Sequence, residues 1–437
     1  MNEFQPKLVL DSRINDISDK VDVAVESSAA QSTYQSFPSV NSSNSSITWN
    51  VNVPSENTAV DRRILMNTGL TFTVKYENIS VGSSPPFEWS NLDGLSQFPL
   101  NGIFSQVQAT INNVSLSTPT EDIMAPLLRL CDQTEVSYHN QYTASYLDQN
   151  FSTVEGLNGT NINPLADAEK LNYNGIIQPR GVINPTIIIS QKTSAGVDVS
   201  DSATVATAGN IIYYYVTVNL TEPILFLSPF TGLTPSKNDA AMLGINNINI
   251  VANIRSNLTG LYKTTSANGY TRTVSLGKDG ASAFTSPKLL INLLTLQPEQ
   301  YSRIITRNVL PIQDYSWFVS SYNSTVTAGA TNTFTFPIVS LNQIPETLLV
   351  FVRPAPDATD FSSMSRYFTI NSATISFNNQ SGILASCSQQ ELYNISKENG
   401  SKQSYTDFTG LLRFNSQIVS GQGSILVLKP AYNFNLP

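Results

Sequence analysis

Apolar and polar residues alternate with a period of two along much of the chain. Every second position is apolar within residues 70–76, and the same alternation recurs at 248–254 and 334–338. This pattern is typical of half-buried strands in antiparallel sheets. Denser apolar runs, typical of core strands, occur at 211–220, 288–296, 346–353 and 424–429. Because long polar loops such as 191–210 separate these runs, the pattern predicts an all-β fold of β-sandwich modules.

A helical pattern appears in two short places, and the first follows a predicted strand at 107–111. Asn112 and Asn113 break that strand, and Thr118 stands three residues before Glu121. This spacing predicts a capping box, in which the Thr hydroxyl and the Glu carboxylate each accept from the other residue's backbone amide. Pro126 falls inside the predicted helix and is expected to kink or shorten it.

The second place repeats this order near the end of the chain. A predicted strand at 373–377 ends at Asn378 and Asn379, and Ser388 stands three residues before Glu391. The sequence therefore predicts a second capping box, with a helix that Gly400 ends.

The spacing between the two units points to an internal duplication. The Asn pairs are 266 positions apart, and Trp49 and Trp317, each near the start of a β-rich run, are 268 apart. We therefore predict two tandem modules in which residues 104–131 correspond to 370–397. The alternative is that strand–turn–helix units are common and that the Trp spacing arises by chance.

Composition narrows the possible functions. Only 13% of the residues are charged, and the formal net charge is −8, which disfavours a general nucleic-acid binder. Residues 1–46 show no sustained period and carry three basic against six acidic residues, so they predict an extended arm that does not neutralise phosphate. No window approaches ~20 apolar residues, which predicts no transmembrane segment. The first twenty residues lack the pattern of a secretion signal.

Three segments carry a resemblance to a known family: "VPSENTAVDRRILMNTGLTFTV" (53–74), "FNNQSGILASCSQQELYNISKENGS" (377–401) and "GSILVLKPAYNFNLP" (423–437). They resemble the double-jelly-roll major capsid proteins of icosahedral DNA viruses. The resemblance implies two tandem jelly-roll β-sandwiches with short helices inserted between strands. It also implies a non-enzymatic virion protein, made in the host cell, that forms pseudo-hexagonal homotrimeric capsomers. Its partners would be other copies of itself, neighbouring capsomers, and penton or minor capsid proteins. The net charge of −8 adds the expectation of no specific nucleic-acid binding.

The predicted organisation has three parts. Residues 1–46 form the extended N-terminal arm, 47–300 the first jelly roll with long loops, and 301–437 the second jelly roll. A second roll as long as the first would run past residue 437. Either the second roll is shorter, or the chain stops before its last strands.

The sequence predicts no catalytic, cofactor-binding or metal-ligating residues. His139 is the single histidine, so a catalytic triad or a two-histidine metal site would have to be built on a residue that a polar loop is expected to hold. No nucleotide-binding or EF-hand motif occurs. Cys131 and Cys387 are expected to be buried thiols, with a single disulfide bridge as the alternative.

The sequence is also compatible with two other functions. A β-sandwich adhesin or fibre head would bind carbohydrate, and a β-sandwich glycosidase would need two carboxylates ~5–9 Å apart. Sugar-binding sites usually contain exposed aromatic rings that stack on the sugar. The segment "PPFEWS" (85–90) is the cluster of aromatic residues that fits this description. We expect Phe87 and Trp89 to be buried in packing instead. Tyr214 should face away from Tyr213 and Tyr215, and we expect a subunit contact to bury it.

Overall fold

A computed structural model describes the chain in these residue ranges: 31–55, 58–77, 87, 89, 93–132, 136, 185–193, 195–199, 210–230, 241–264, 271–295, 312–322, 326–327, 330–355, 361, 367–377, 380–414, 417–420 and 423–434. His139, the first thirty residues of the expected arm, and the pair Asn378–Asn379 lie outside these ranges. No helix of the described residues is long and apolar enough to cross a membrane.

The first module contains thirteen strands among its described residues, with two short helices between them. The strands are β1 (Gln31–Ser42), β2 (Ser46–Asn52), β3 (Thr58–Glu77), β4 (Asp93–Leu95), β5 (Phe104–Ile111), β6 (Val114–Thr118), β7 (Thr186–Thr193), β8 (Asp198–Val199), β9 (Asn210–Pro223), β10 (Asn247–Ile254), β11 (Tyr262–Thr264), β12 (Thr271–Leu276) and β13 (Phe284–Thr295). The helices are α1 (Pro99–Gly102) and α2 (Thr120–Leu128).

Two large antiparallel sheets and the short pair β4–β11 make up the described part of this module, and strand β1 belongs to both large sheets. Sheet I has the order β1-β13-β3-β9-β7-β8, with β12 also paired to β3. Sheet II has the order β1-β2-β10-β5-β6. Residues 31–38 pair with β13 and residues 39–42 pair with β2, so one strand passes from one sheet to the other. The described part of the module is therefore a two-sheeted sandwich.

The predicted alternation places the core between the two sheets. Leu70, Phe72 and Val74 of sheet I are fully buried, as are Ile248 and Ile250 of sheet II, and all five belong to one hydrophobic cluster. Trp49 of β2 joins the same cluster and is 2% exposed. Burying a side chain of this size contributes roughly 1.5–3 kcal/mol, so the period-2 pattern accounts for the stability of the sandwich.

Strand β1 lies within the segment 1–46 that the sequence predicts to be an extended arm. Its residues Gln31–Ser42 pair with two strands of the same chain. The local pattern is polar because the side chains of β1 are mostly half-buried or exposed, as in Tyr34, which is 64% exposed. Backbone pairing, which composition does not reveal, holds this strand in the sandwich.

The second module contains smaller two-stranded sheets. Its strands are β14 (Leu348–Val350), β15 (Ile375–Phe377), β16 (Gln380–Ile383), β17 (Leu411–Phe414), β18 (Gln417–Ser420) and β19 (Leu426–Leu428), and its helices are α3 (Gln389–Glu398), α4 (Tyr405–Phe408) and α5 (Pro430–Asn433). Strand β14 pairs with β19, β15 with β16 and β17 with β18. A second hydrophobic cluster forms its core, with Leu392 of α3, Phe408 of α4 and Leu426 of β19 all fully buried.

One predicted strand in the second module is not observed. Residues 334–338 have neither strand nor helix assignment, although they are described. Phe334 is half-buried and contacts Tyr322, with 4.8 Å between ring centroids, whereas Phe336 and Ile338 are exposed. The alternating pattern is present in the sequence, but no strand of the described residues pairs with it.

The two helical units share an arrangement that the sequence revealed only in part. Each is a hairpin followed by a helix. Ile111 pairs with Val114 in β5–β6, and Phe377 pairs with Gln380 in β15–β16, so two residues connect the strands in each case. Asn112 and Asn113 have φ angles of 45° and 70°, as a tight type I′ hairpin turn requires. The second strand of each hairpin was missing from the prediction, and the correspondence of the two modules stays a prediction.

One of the two predicted capping boxes forms. Ser388 caps α3: its hydroxyl accepts from the Glu391 amide, and the Glu391 carboxylate accepts from the Ser388 amide at 2.7 Å. The box predicted at Thr118 is wrong. Thr118 ends strand β6, its hydroxyl donates to the carbonyl of Phe226 at 3.3 Å, and α2 begins after Pro119 without a side-chain cap.

Candidate assembly site

Helix α2 lies at the junction between the two modules. Its buried residues Ile123, Leu127 and Leu128 form a cluster with Phe98 and Phe226 of the first module. Residues of the second module pack against the same cluster, namely Tyr315, Trp317 and Leu349. The apolar side chains of α2 therefore contact both modules.

The first turn of α2 adds charge to this junction. Arg353 of the second module donates to the Asp122 carboxylate at 2.7 Å, and its guanidinium lies 5.9 Å from the ring centre of Trp317. Arg255 of the first module lies 3.8 Å from the Glu121 carboxylate. Burial lowers the pKa of Arg255, while Glu121 opposes that effect. Two acidic residues of one helical turn thus pair with one arginine from each module.

Hydrogen bonds of the backbone also cross the junction. The amide of Lys402 donates to the carbonyl of Arg129 at 2.8 Å, directly after α2. The amide of Gln313 donates to the Ser228 hydroxyl at 2.9 Å. The Arg129 side chain is buried, and its Nη1 donates to the Ala125 carbonyl at 3.0 Å. The bonds to Arg129 and Ser228 cross the junction, and their directionality helps to fix the second module against the first.

The two tryptophans that suggested a duplication occupy different environments. Trp49 lies in β2 and belongs to the core of the sandwich. Trp317 lies in a described segment without helix or strand, is half-buried, and contacts Phe351, with 5.5 Å between ring centroids. Their spacing in the sequence does not by itself make them equivalent.

A charge-free segment of the second module carries many exposed apolar side chains. No Asp, Glu, Lys, Arg or His occurs from residue 315 to residue 345. The exposed large apolar and aromatic side chains of this stretch are Phe318, Val319, Tyr322, Phe336, Ile338, Leu341 and Ile344. We call residues 315–344 the apolar segment. Exposed apolar surface that exceeds what a single soluble chain usually carries marks interaction sites.

The aromatic residues that suggested sugar binding are packed within the chain. Phe87 stacks on Tyr214, with 4.2 Å between ring centroids, and Trp89 contacts Phe72 at 6.5 Å. Both Phe87 and Trp89 are half-buried against the sandwich core. Tyr214 does face away from its neighbours, but it is 3% exposed in the single chain. The prediction that a subunit contact buries Tyr214 is wrong, because the core of its own module does so.

The His, Cys, Asp and Glu residues in the described part of the chain form no recognisable metal-binding site. No group of three or more His, Cys, Asp or Glu there has the arrangement to hold a metal ion. Cys131 is buried and Cys387 is half-buried, and the two form no disulfide with each other. His139 lies outside the described residues.

A buried carboxylate, Glu222, has a structural environment. Its two oxygens accept from the amides of Leu100 and Asn101 at 2.9 and 3.0 Å, and from the Asn101 side chain at 2.9 Å. Burial raises the pKa of Glu222 to about 7, although these hydrogen bonds act to lower it. The carboxylate joins the end of β9 to helix α1, and no sequence motif identified it.

Comparison with known protein families gives two adjoining matches. Residues 2–294 match the family described as the Sputnik virophage major capsid protein first domain. Residues 315–437 match the family described as the major capsid protein V20 C-terminal domain. The junction around α2 therefore brings together segments that two different family models cover.

A curated relative spans both segments. The putative capsid protein V20 of Sputnik virophage is 24% identical over 415 residues, which cover 91% of this chain and 65% of the relative. The chain thus spans less than two thirds of the length of the curated relative that it matches.

Solved structures establish the fold. A cryo-electron microscopy structure of the Sputnik virophage matches with a TM-score of 0.74 at 21% identity, covering 99% of this chain and 82% of that chain. The crystal structure of the mavirus major capsid protein matches with a TM-score of 0.57 at 13% identity, covering 96% and 82%. Both are double jelly-roll proteins, and this chain has the same fold.

Proposed function

The chain belongs to the family of Sputnik-type virophage major capsid proteins, and we propose that it forms homotrimeric capsomers that tile an icosahedral shell. In this proposal the protein has no enzymatic activity and resides in the virion. Its partners are other copies of itself, neighbouring capsomers, and penton or minor capsid proteins. Each subunit contributes two rolls, so three subunits give a capsomer with a pseudo-hexagonal outline.

The observation that carries this proposal is the junction at α2. A capsomer with six similar corners needs two rolls held in a fixed relation within each subunit. Shared apolar packing around Leu127 and Trp317, and the ion pair between Asp122 and Arg353, provide that connection. Packed interiors resist deformation, so a junction of this kind favours a subunit that enters a lattice as one rigid piece.

The apolar segment supports assembly as well. Ile338 is 100% exposed and Phe336 is 52% exposed in the single chain. The cores of interfaces between copies of a chain are more apolar than the rest of the surface and are depleted in charge. A segment that is both apolar and charge-free suits such a contact.

Electron microscopy of the purified protein tests the proposal. We expect negatively stained particles with a pseudo-hexagonal outline and a size that fits three subunits. The variant Ile338→Asp should remain as single subunits, because it would bury a charge in the contact. Val197→Asp is the matched control, since Val197 is 63% exposed in a loop of the first module. Wild-type particles no larger than one subunit would contradict the proposal.

A further inference from the structure

The outer surface of sheet II carries mainly uncharged polar side chains, with the half-buried Val251 of β10 among them. Asn50 of β2 lies opposite Asn249 of β10, and Asn249 lies opposite Thr110 of β5. Two residues further along β5, Gln108 lies opposite Ser117 of β6. We call the surface formed by Asn50, Gln108, Thr110, Ser117, Asn247 and Asn249 the amide face.

The lack of charge extends over all the segments that supply this sheet. Residues 27–55, 94–120 and 240–254 contain no Asp, Glu, Lys, Arg or His. These segments are 29, 27 and 15 residues long, and the chain average of 13% would place about nine charged residues in them. These segments are far apart in the sequence and meet in sheet II. The absence of charge is therefore a property of the sheet and not of one stretch of the sequence.

Sheet I shows that strands of this protein otherwise carry charge. Lys75 and Glu77 of β3 form an ion pair of 2.6 Å, and Lys192 of β7 pairs with Asp279 at 2.8 Å. Arg272 of β12 contacts the Tyr76 hydroxyl at 3.2 Å. The difference between the two sheets indicates that sheet II faces a different environment.

Hydrogen bonds hold part of the amide face in a fixed arrangement. The Asn247 amide donates to the side-chain oxygens of Asn50 and Asn52, both at 2.7 Å. The Gln108 amide donates to the Gln106 side-chain oxygen at 3.1 Å. A carboxamide has two donor hydrogens and an oxygen with two lone pairs, so one such bond leaves capacity for others.

We propose that the amide face is a contact surface between copies of this chain. This inference rests on the proposed capsid function and names a surface that acts in it. Each copy carries a net charge of −8, so copies repel one another, and a contact without charges avoids both like-charge pairs and charge desolvation. Amides and hydroxyls both donate and accept, so a surface rich in them can bind another copy of the same chain.

The dimensions fit a partial contact. Five strands ~4.8 Å apart, with an average length of about six residues, cover roughly 500 Å². A stable interface buries about 800 Å² per partner. The amide face therefore needs a further contribution, which the apolar segment of the second module can supply. A contact between two different surfaces of identical copies gives a closed ring when the rotation that it imposes closes after three copies, as a trimer requires.

Charge insertion at Asn249 tests this inference. Asn249→Asp is nearly isosteric and Asn249→Lys has the opposite sign, and we expect both to raise the concentration needed for assembly by about tenfold or more. Asn249→Gln should stay within about threefold of wild type, since it keeps the amide. Ser275→Asp and Ser275→Lys are the controls, because Ser275 is an exposed residue of β12 in sheet I. Sedimentation velocity across a dilution series measures the assembled fraction.

The outcomes separate this inference from the proposed function. If the wild type forms trimers and both charged Asn249 variants do so at the same concentrations, the inference is overturned and the capsid function stands. If those variants assemble normally but lose binding to a glycan array, the face binds carbohydrate instead. If the wild type itself stays monomeric, the proposed function fails and this inference is overturned with it. The melting temperature of the separated subunit should be unchanged in the Asn249 variants; a marked decrease would show that the chain itself covers this face and would overturn the inference.

Discussion

Arg353 and Asp122 form an ion pair of 2.7 Å that joins the second module to the first turn of helix α2. The two residues are 231 positions apart in the chain. Asp122 also lies where the helix dipole favours a negative charge. The pair therefore connects the second module to the same helix that also packs against the first.

Removing this pair should weaken the junction. The side chains of Arg353 and Asp122 are 33% and 27% exposed, so we expect a coupling free energy of at most about 1 kcal/mol. A double-mutant cycle with Asp122→Asn and Arg353→Gln measures it from the free energy of unfolding. A coupling of zero, with strictly additive losses, would show that the pair does not hold the modules together.

The capping box at α3 gives a local prediction. Ser388→Ala should lower the stability of the second module by about 1 kcal/mol, since one amide of the first turn loses its acceptor. Hydrogen bonds from the Ser388 amide and hydroxyl lower the pKa of Glu391, so the separate contribution of this carboxylate to the cap should be lost as the pH falls through that depressed pKa. Ser386→Ala is the control, because Ser386 lies in the exposed turn before the cap. Chemical denaturation of both variants checks the prediction, and equal stabilities would contradict it.

The contrast between the two predicted caps shows what a local pattern can identify. Both sites have a hydroxyl residue three positions before a glutamate. Ser388 lies outside the strands of the second module, and the capping box forms there. Thr118 instead pairs with Val107 of strand β5, and this pairing fixes its position in the sheet. Glu121 forms an ion pair with Arg255 and takes no part in a cap. Because the competing partner is distant in the sequence, the local pattern could not exclude it.

Glu222 predicts a pH dependence of stability. Its pKa of about 7 in the folded protein lies above the ordinary value of 4.5, so between these values the folded state holds a proton that the unfolded state has lost. Stability should therefore fall as the pH rises from about 4.5 to 7, by about 3 kcal/mol for this group.

Unfolding of wild type and Glu222→Gln at several pH values measures this effect. The difference in free energy of unfolding between the two proteins should change over that range, since the glutamine does not titrate. A difference that is independent of pH would contradict the prediction. A wild type that gains stability over the range, relative to the variant, would show that the three hydrogen bonds to Glu222 outweigh its burial.

Binding to DNA should be weak. The chain has a net charge of −8, and residues 1–46 have twice as many acidic as basic residues, so few phosphates can be neutralised. We expect dissociation constants weaker than about 1 μM for double-stranded DNA near physiological salt. Titration of the purified protein by fluorescence anisotropy measures this value. Submicromolar affinity with a steep dependence on salt would contradict it.

The sequence predicted the class of fold but not the contacts that join its parts. The alternation at 70–76 and 248–254 identified the inward side of each strand correctly, because burial on one side of a strand is a local property with a fixed period. The same reasoning missed β1, whose pairing depends on its backbone. It also missed the ion pair between Arg353 and Asp122, because such contacts depend on tertiary structure.

The mass of the purified protein in solution tests the central claim most directly. Sedimentation equilibrium at micromolar concentration should give three times the chain mass of 47.7 kDa, and the three-subunit species should persist on moderate dilution. Higher salt should leave it intact, since we place uncharged surfaces in the contact. A mass of 47.7 kDa at every concentration tested would contradict the assignment of this chain as a trimer-forming capsid subunit.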